Sequence, residues 1–226
     1  MQKLLLLHGA LGSSAGFDHL KAELAAAFEC HSLDFKGHGG SEVPDALTIE
    51  NFAEEVIAYL DANAIEKIFI FGYSMGGYVG LYLAANFPDR VEKLFTLATK
   101  IRWNPEIAAK ETAFLDPEVV KEKIPKYAAA LQNLHGEKWE SLMEKTAAMM
   151  LELGKNPTIS TEDFSKITMP LQIAVGDKDV MVTIEECLET YRTLSNGSFL
   201  VMPNTQHPIE RVDTTELTHQ IKKFFL

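Results

Sequence analysis

Ser74 stands at the centre of Gly72-Tyr73-Ser74-Met75-Gly76, a G-x-S-x-G pentapeptide that follows directly on the apolar run Ile68-Phe69-Ile70-Phe71. A strand running into a sharp turn and then a helix presents such a serine at the strand's carboxyl end, on a strained backbone that only small neighbours permit. Gly72, Gly76 and Gly77 supply that room, and Met75 to Asn86 reads as the helix, closed by Phe87-Pro88. The chemistry on offer is nucleophilic attack on a carbonyl. A serine hydroxyl is a weak nucleophile at neutral pH, so it requires a base within hydrogen-bond reach and an anion to orient that base. His207 is the best base, lying five residues beyond the last apolar run in a loop, Pro203-Asn204-Thr205-Gln206, that can carry it over the turn. His19, His31, His135 and His219 fall in predicted helix, strand or distal positions and are expected to be surface or packed residues. The anion should leave the carboxyl end of the run Leu171 to Val175, where Asp177 and Asp179 both qualify. Acyl transfer also needs two backbone N–H groups aimed at its developing oxyanion, and Met75, directly after the serine at a helix N-terminus, offers one.

Four stations along the chain together carry a resemblance. They are His8-Gly9-Ala10-Leu11-Gly12 after the first apolar run, Asp34-Phe35-Lys36-Gly37-His38-Gly39-Gly40-Ser41 after the second, the serine pentapeptide, and Gly176-Asp177-Lys178-Asp179 followed by His207. In order and setting they resemble the α/β-hydrolase superfamily, whose nucleophile, acid and histidine follow one another along the chain in that sequence. The resemblance covers nearly the whole length. It implies Asp179 as the acid, because the family pattern is a glycine, two variable residues and then the acid, which leaves Asp177 as a turn residue. It implies Ala10 as the second oxyanion donor, and it makes His8, His38 and Asp34 braces of the surrounding loops with no chemical step of their own. Family members usually carry glycine before the histidine, where this chain has Gln206.

Short apolar runs alternating with helical patterns must position these groups, and that alternation marks a parallel sheet with helices on its faces. The runs are Lys3 to Leu7, Glu29 to Leu33, Lys67 to Phe71, Lys93 to Ala98, Leu171 to Val175 and Ser198 to Met202, giving about six strands in an α/β fold. Thr48 is placed to start a helix bearing Ile49, Phe52, Val56 and Leu60, and Asp213 with Glu216 forms a capping-box signal for a last helix. Compared with the family's usual eight strands, the first two are expected to be absent. Residues 101–165 break the alternation with helical patterns alone, so the expected organisation is a core of 1–100 and 166–226 with a helical cap inserted at 101–165. Asp116-Pro117-Glu118 starts one helix there and Pro125 breaks it. Trp139, Met143, Thr146 and Met150 recur at helical spacing, either packing the cap or walling an apolar pocket above Ser74.

Composition removes other classes. The 226 residues suit one α/β domain, and 21 Lys and Arg against 32 Asp and Glu leave a formal net charge of −11 with no basic cluster, so no nucleic-acid partner is expected. Leu4 to Leu7 is too short to span a bilayer, no membrane association is expected, and the expected compartment is the cytoplasm. Cys30 and Cys187 sit in no metal-ligand or C-x-x-C spacing and read as reduced, packed thiols. No H-x-x-x-H, H-E-x-x-H or phosphate-loop pattern occurs, so neither a metal nor a cofactor is implied. The leading expectation is a serine hydrolase of a small carboxylic ester or thioester, working through Ser74, Asp179 and His207 with Ala10 and Met75 at the oxyanion. Two alternatives use the same fold. One is a lyase or carbon–carbon bond hydrolase, since the pentapeptide also resembles the elbow of the menaquinone-pathway lyase; that enzyme binds its anionic substrate through arginines, of which the cap region offers only Arg102. The other is a ligand-sensing protein with slow turnover.

Overall fold

The structure, a computed structural model, describes residues 1–226. Six parallel strands form one sheet: β1 (Gln2–Leu7), β2 (Phe28–Ser32), β3 (Ile68–Tyr73), β4 (Val91–Leu97), β5 (Leu171–Gly176) and β6 (Gly197–Met202), in the order β2-β1-β3-β4-β5-β6. Each agrees with an expected run to within two residues at either end. Three of these strands read as continuous hydrophobic segments because helices cover both faces of a parallel sheet, and the pleat divides their side chains between two cores. In β1, Leu5 and Leu7 enter one core while Leu4 and Leu6 enter the other; in β3, Ile68 and Ile70 oppose Phe69, Phe71 and Tyr73.

The smaller core lies beneath α1 (Asp18–Leu24) at one end of the chain and α10 (Thr214–Phe225) at the other. Its centre is aromatic: Phe225 stacks on Phe69 at 5.1 Å and meets Phe28 edge-on at 6.2 Å. Truncating such a ring costs about 3–5 kcal/mol. The larger core lies beneath α2 (Ile49–Ala62), α3 (Met75–Asn86), the helices between β4 and β5, and α9 (Ile184–Tyr191). Thr48 caps α2 by accepting the Asn51 N–H at 3.1 Å. Asp213 caps α10 by accepting the Glu216 N–H at 3.0 Å, but the expected reciprocal arm is absent because the Glu216 carboxylate takes the Gln220 amide at 2.8 Å instead. Residues four apart share a helix face, so the Gln220 amide is within reach of that carboxylate.

Five helices fill the stretch between β4 and β5: α4 (Pro105–Thr112), α5 (Pro117–Lys123), α6 (Pro125–His135), α7 (Trp139–Lys155) and α8 (Thr161–Lys166). Asp116 caps α5 through the Glu118 and Val119 N–H groups, and Pro125, which cannot continue α5, opens α6 at its first position. Along α7, Trp139, Met143 and Thr146 are buried against neighbouring helices. No helix is long and apolar enough to cross a membrane.

The chain leaves β1 toward β2 on one side and returns to β3 on the other, so a crevice opens beyond the carboxyl ends of β1 and β3. Backbone strain gathers along the same rim. Of five non-glycine residues with positive φ, Leu11, Ser74, Ala98 and Asn204 lie in the segments leaving β1, β3, β4 and β6, and the fifth, Ala64, closes α2.

Candidate active site

Ser74 sits at the first bend after β3 with φ +51° and ψ −117°, its N–H donating to the Leu97 carbonyl at 2.9 Å and its carbonyl accepting from Gly77 and Tyr78. The bend exists because the chain can pass very close to itself there. A Cβ on Gly76 would lie 2.2 Å from the Leu7 carbonyl oxygen, so β1 leaves space for hydrogen alone. The helix that follows is buried on nearly every side, which fixes the serine to the centre of the fold.

Side chains distant in sequence converge on this hydroxyl. The Ser74 Oγ lies 3.3 Å from His207 Nε2, and His207 Nδ1 lies 2.8 Å from Asp179 Oδ2. The Asp179 carboxylate is fully buried, and its other oxygen accepts the Met181 and Val182 N–H groups at 2.8 and 2.9 Å. Those two bonds aim an acceptor at the imidazole, so the Nδ1 of His207 carries the hydrogen and Nε2 faces the serine as an acceptor. Asp177 serves the loop instead of the His207 imidazole, since its carboxylate accepts the Thr205 N–H at 3.1 Å and pins the segment that carries His207. The loop needs no glycine before the histidine, because Gln206 points away to accept from Arg211 at 2.7 Å. A second anchor comes from Tyr73, whose hydroxyl donates to the His207 carbonyl at 2.8 Å.

Ala10 lies opposite. Its N–H has no partner within the protein, while the carbonyl at the other end of the same peptide, that of Gly9, accepts from His8 Nδ1 at 2.8 Å and from the Gly12 N–H at 3.1 Å. A trans peptide is planar with C=O and N–H opposed, so fixing the Gly9 oxygen fixes the direction of the Ala10 N–H. Gly9 brings that peptide against the elbow, for a Cβ there would stand 2.8 Å from the Tyr73 ring and 3.1 Å from Ser74 Cβ. Met75 is the first residue of α3, so its N–H has no partner inside the helix.

Three buried imidazoles hold the surrounding loops. His8 Nε2 accepts the Phe35 N–H at 3.2 Å, and His38 Nε2 accepts the Leu11 N–H at 3.3 Å while its Nδ1 donates to the Lys36 carbonyl at 3.3 Å. Asp34 accepts the Ser14 N–H at 2.6 Å. Burial lowers the pKa of His8 to about 4; burial, reinforced by the neighbouring His8, lowers that of His38 to about 3. The third imidazole corrects an expectation. His135 is packed as anticipated but is not distal, because it reaches both Leu11 and Gly39 from the end of α6. Every ring nitrogen in the trio meets a backbone group, and no group of three or more His, Cys, Asp or Glu is arranged to hold a metal ion.

The cleft over Ser74 and His207 is a cavity of about 40 Å³ walled by Ile49, Met75, Tyr78, Trp103, Met149 and Leu153. Of the residues expected as alternative pocket walls, only Met150 reaches it; Trp139 is buried among the inserted helices beneath Lys121, whose ammonium sits 5.9 Å from the ring centre. Lys100 and Trp103 are wall residues that no sequence motif marks. Lys100 Nζ is tied at 2.8 Å to the buried Glu186 and at 2.9 Å to the Met181 carbonyl, joining the segment after β4 to the Asp179 loop. Arg102 pairs with the exposed Glu189 and does not line the cleft. Cys30 and Cys187 are free thiols, and burial pushes Cys187 up to about 12.

The chain belongs to the α/β-hydrolase fold family, whose family model matches residues 3–120. Among curated proteins it is similar to the pimeloyl-(acyl-carrier protein) methyl ester esterase of Neisseria meningitidis serogroup C, with 36% identity over 102 residues. That match spans 45% of this chain and 38% of the esterase's length. It is also similar to the chloroplastic protein PHYLLO of Arabidopsis thaliana, at 25% identity over 97% of this chain and 15% of that protein. Among solved structures, a thermophilic esterase from Thermogutta terrifontis superposes with a TM-score of 0.79 at 23% identity, covering 99% of this chain and 89% of that one. The enol-lactonase of Burkholderia xenovorans LB400 superposes with a TM-score of 0.80 at 20% identity, covering 99% and 91%. At those identities the likeness speaks for the fold.

Proposed function

We propose that this protein is a serine hydrolase that cleaves a small carboxylic ester or thioester through an acyl-enzyme intermediate, with helices α4–α8 (within residues 101–165 and one residue beyond) acting as a cap on the core. The observation that carries the reading is the continuous relay from Ser74 Oγ through His207 to the buried Asp179 carboxylate. His207 Nε2 takes the serine proton as Oγ attacks the substrate carbonyl, and Asp179 steadies the imidazolium that forms. The 3.3 Å separation is at the long end for that transfer, as such bonds often are before substrate arrives. Charge developing on the carbonyl oxygen meets the Ala10 and Met75 N–H groups, and Met75 adds the positive end of the α3 dipole. Collapse expels the alcohol or thiol, protonated by His207; the same imidazole then deprotonates a water that releases the acid and restores the serine.

The cavity of about 40 Å³ and its apolar wall favour a short acyl group. The methyl ester esterase relatives support an oxygen ester ahead of a thioester. The lyase alternative is less supported, because it calls for arginines facing the substrate and Arg102 is paired with Glu189 away from the cleft. Labelling with a fluorophosphonate, followed by mapping of the modified residue, tests the reading. Modification at Ser74, with p-nitrophenyl acetate turned over by the protein and not by Ser74→Ala, is expected. Turnover retained in the folded Ser74→Ala chain would refute it.

A further inference from the structure

Leu11 adopts φ +56°, a left-handed backbone that a branched side chain rarely holds without restraint. Both polar groups of its main chain are restrained. Its N–H donates to His38 Nε2, and its carbonyl accepts from His135 Nε2 at 2.9 Å. The other nitrogen of His135 accepts the Gly39 N–H at 3.1 Å. A backbone N–H only donates, so Nδ1 is bare, the hydrogen is on Nε2, and the neutral ring alone makes both bonds. His135 is 3% exposed and ends α6, where Gly136 turns the chain away with φ +73°.

The Leu11 carbonyl and the Gly12 N–H are opposite ends of one peptide, and that N–H donates to Gly9. The Gly9 carbonyl and the Ala10 N–H are opposite ends of the next peptide in the series. A chain of hydrogen bonds therefore runs from the His135 imidazole through two rigid planes to the Ala10 donor, each bond polarising the one after it. We infer that His135 is a positioning residue through which the seating of α6 on the core aims the Ala10 N–H at the oxyanion. With α6 docked, the 11–12 peptide is held and Gly12 keeps its bond to Gly9. When the inserted helices lift, that peptide is released, Leu11 is free to leave its strained conformation, and Gly9 retains His8 alone. The site is then complete only while the helices are closed over it. This inference rests on the oxyanion role of Ala10 proposed above and adds its control.

Two substitutions separate the halves of the imidazole. In His135→Gln the side-chain amide can place a donor where Nε2 stood and leaves Gly39 unpaired; in His135→Asn a carbonyl oxygen replaces Nδ1 and the donor to Leu11 is lost. Each removes one bond, so a merely structural role predicts equal losses in stability and in turnover. The inference predicts a split for a short p-nitrophenyl ester: Asn and Ala lower kcat about tenfold, the equivalent of one hydrogen bond, with KM within about twofold. Gln retains kcat within about threefold, and the affinity of a trifluoromethyl ketone, which binds as the tetrahedral adduct, falls in step with kcat across the set. Equal kcat in Gln and Asn, a loss confined to KM, or a loss that tracks Tm across the variants would overturn it; should the Ala chain not fold, the Gln and Asn pair decides. If the unsubstituted protein shows no Ser74-dependent turnover, the proposed hydrolase and this inference fall together. With that turnover present and no split, only the inference falls.

Discussion

The phenol of Tyr73 donates to the main-chain carbonyl of His207 at 2.8 Å, joining two residues 134 positions apart. One lies immediately before the serine and the other is the proposed base, so this bond sets the distance between elbow and imidazole from outside the proposed proton path. Burial raises the tyrosine's pKa, which keeps the hydroxyl a neutral donor at every working pH. Replacing Tyr73 with Phe removes the bond and leaves the ring. We expect kcat to fall about three- to tenfold, with KM for a short ester within about twofold and little change in Tm, because one ordinary hydrogen bond is lost. Steady-state kinetics with p-nitrophenyl acetate check this; an unchanged kcat would show that the loop holds His207 without Tyr73.

Asp177 and Asp179 can be told apart by the same exchange of oxygen for nitrogen. In Asp179→Asn the amide can keep an oxygen toward Met181 and Val182 and so turns its NH₂ toward His207 Nδ1, forcing the hydrogen onto Nε2, where it blocks the serine. The expected loss in kcat is on the order of 10⁴, the size found when a serine protease suffers this change. Asp177→Asn keeps an oxygen for the Thr205 N–H and should leave kcat within roughly threefold. A larger loss at 177 than at 179 would reverse the assignment.

Stability should fall on acidification through a window set by His8 and His38. Both have folded pKa values, about 4 and about 3, below the ordinary 6.5, so between pH 6.5 and those values the unfolded chain binds more protons than the folded one. By linkage the folded state is favoured fully above pH 6.5 and loses up to about 1.4 kcal/mol per histidine for each pH unit below it. His38→Gln can still accept from Leu11 and does not titrate. Urea midpoints at pH 7.5, 6.0 and 5.0 should drop less steeply in that variant than in the unsubstituted protein. Parallel slopes would mean that other groups carry the acid sensitivity.

The strands, the elbow and the order of the three polar side chains are legible in the sequence because each announces itself locally. Buried parallel strands are apolar runs between turn signals, and the elbow needs glycines at fixed positions. The choice of Asp179 over Asp177 lies in the resemblance rather than the residues, and its physical ground is visible only in the bonds each carboxylate makes. His135 escapes a sequence reading for a different reason. At the end of a helix a histidine satisfies the dipole and calls for no further explanation, while its partners, Leu11 and Gly39, stand 124 and 96 residues away. Lys100 meets Glu186 across 86 residues, and Trp103 lies in an irregular link (101–104) ahead of α4 where a helical pattern is expected, so no spacing in the chain could have placed Lys100 and Trp103 at the cleft.

Along one rim of the sheet, Leu11, Ser74, Ala98 and Asn204 occupy backbone that glycine would adopt without penalty. The polypeptide thus has a tense margin and a relaxed one. A laboratory evolution campaign that selects for heat tolerance alone will find easy gains at the tense margin, and at Ser74 the most relieving replacement would also erase the proposed nucleophile. Screens for a hardier variant should therefore draw their substitutions from the amino-terminal side of the strands, or score hydrolysis in the same round.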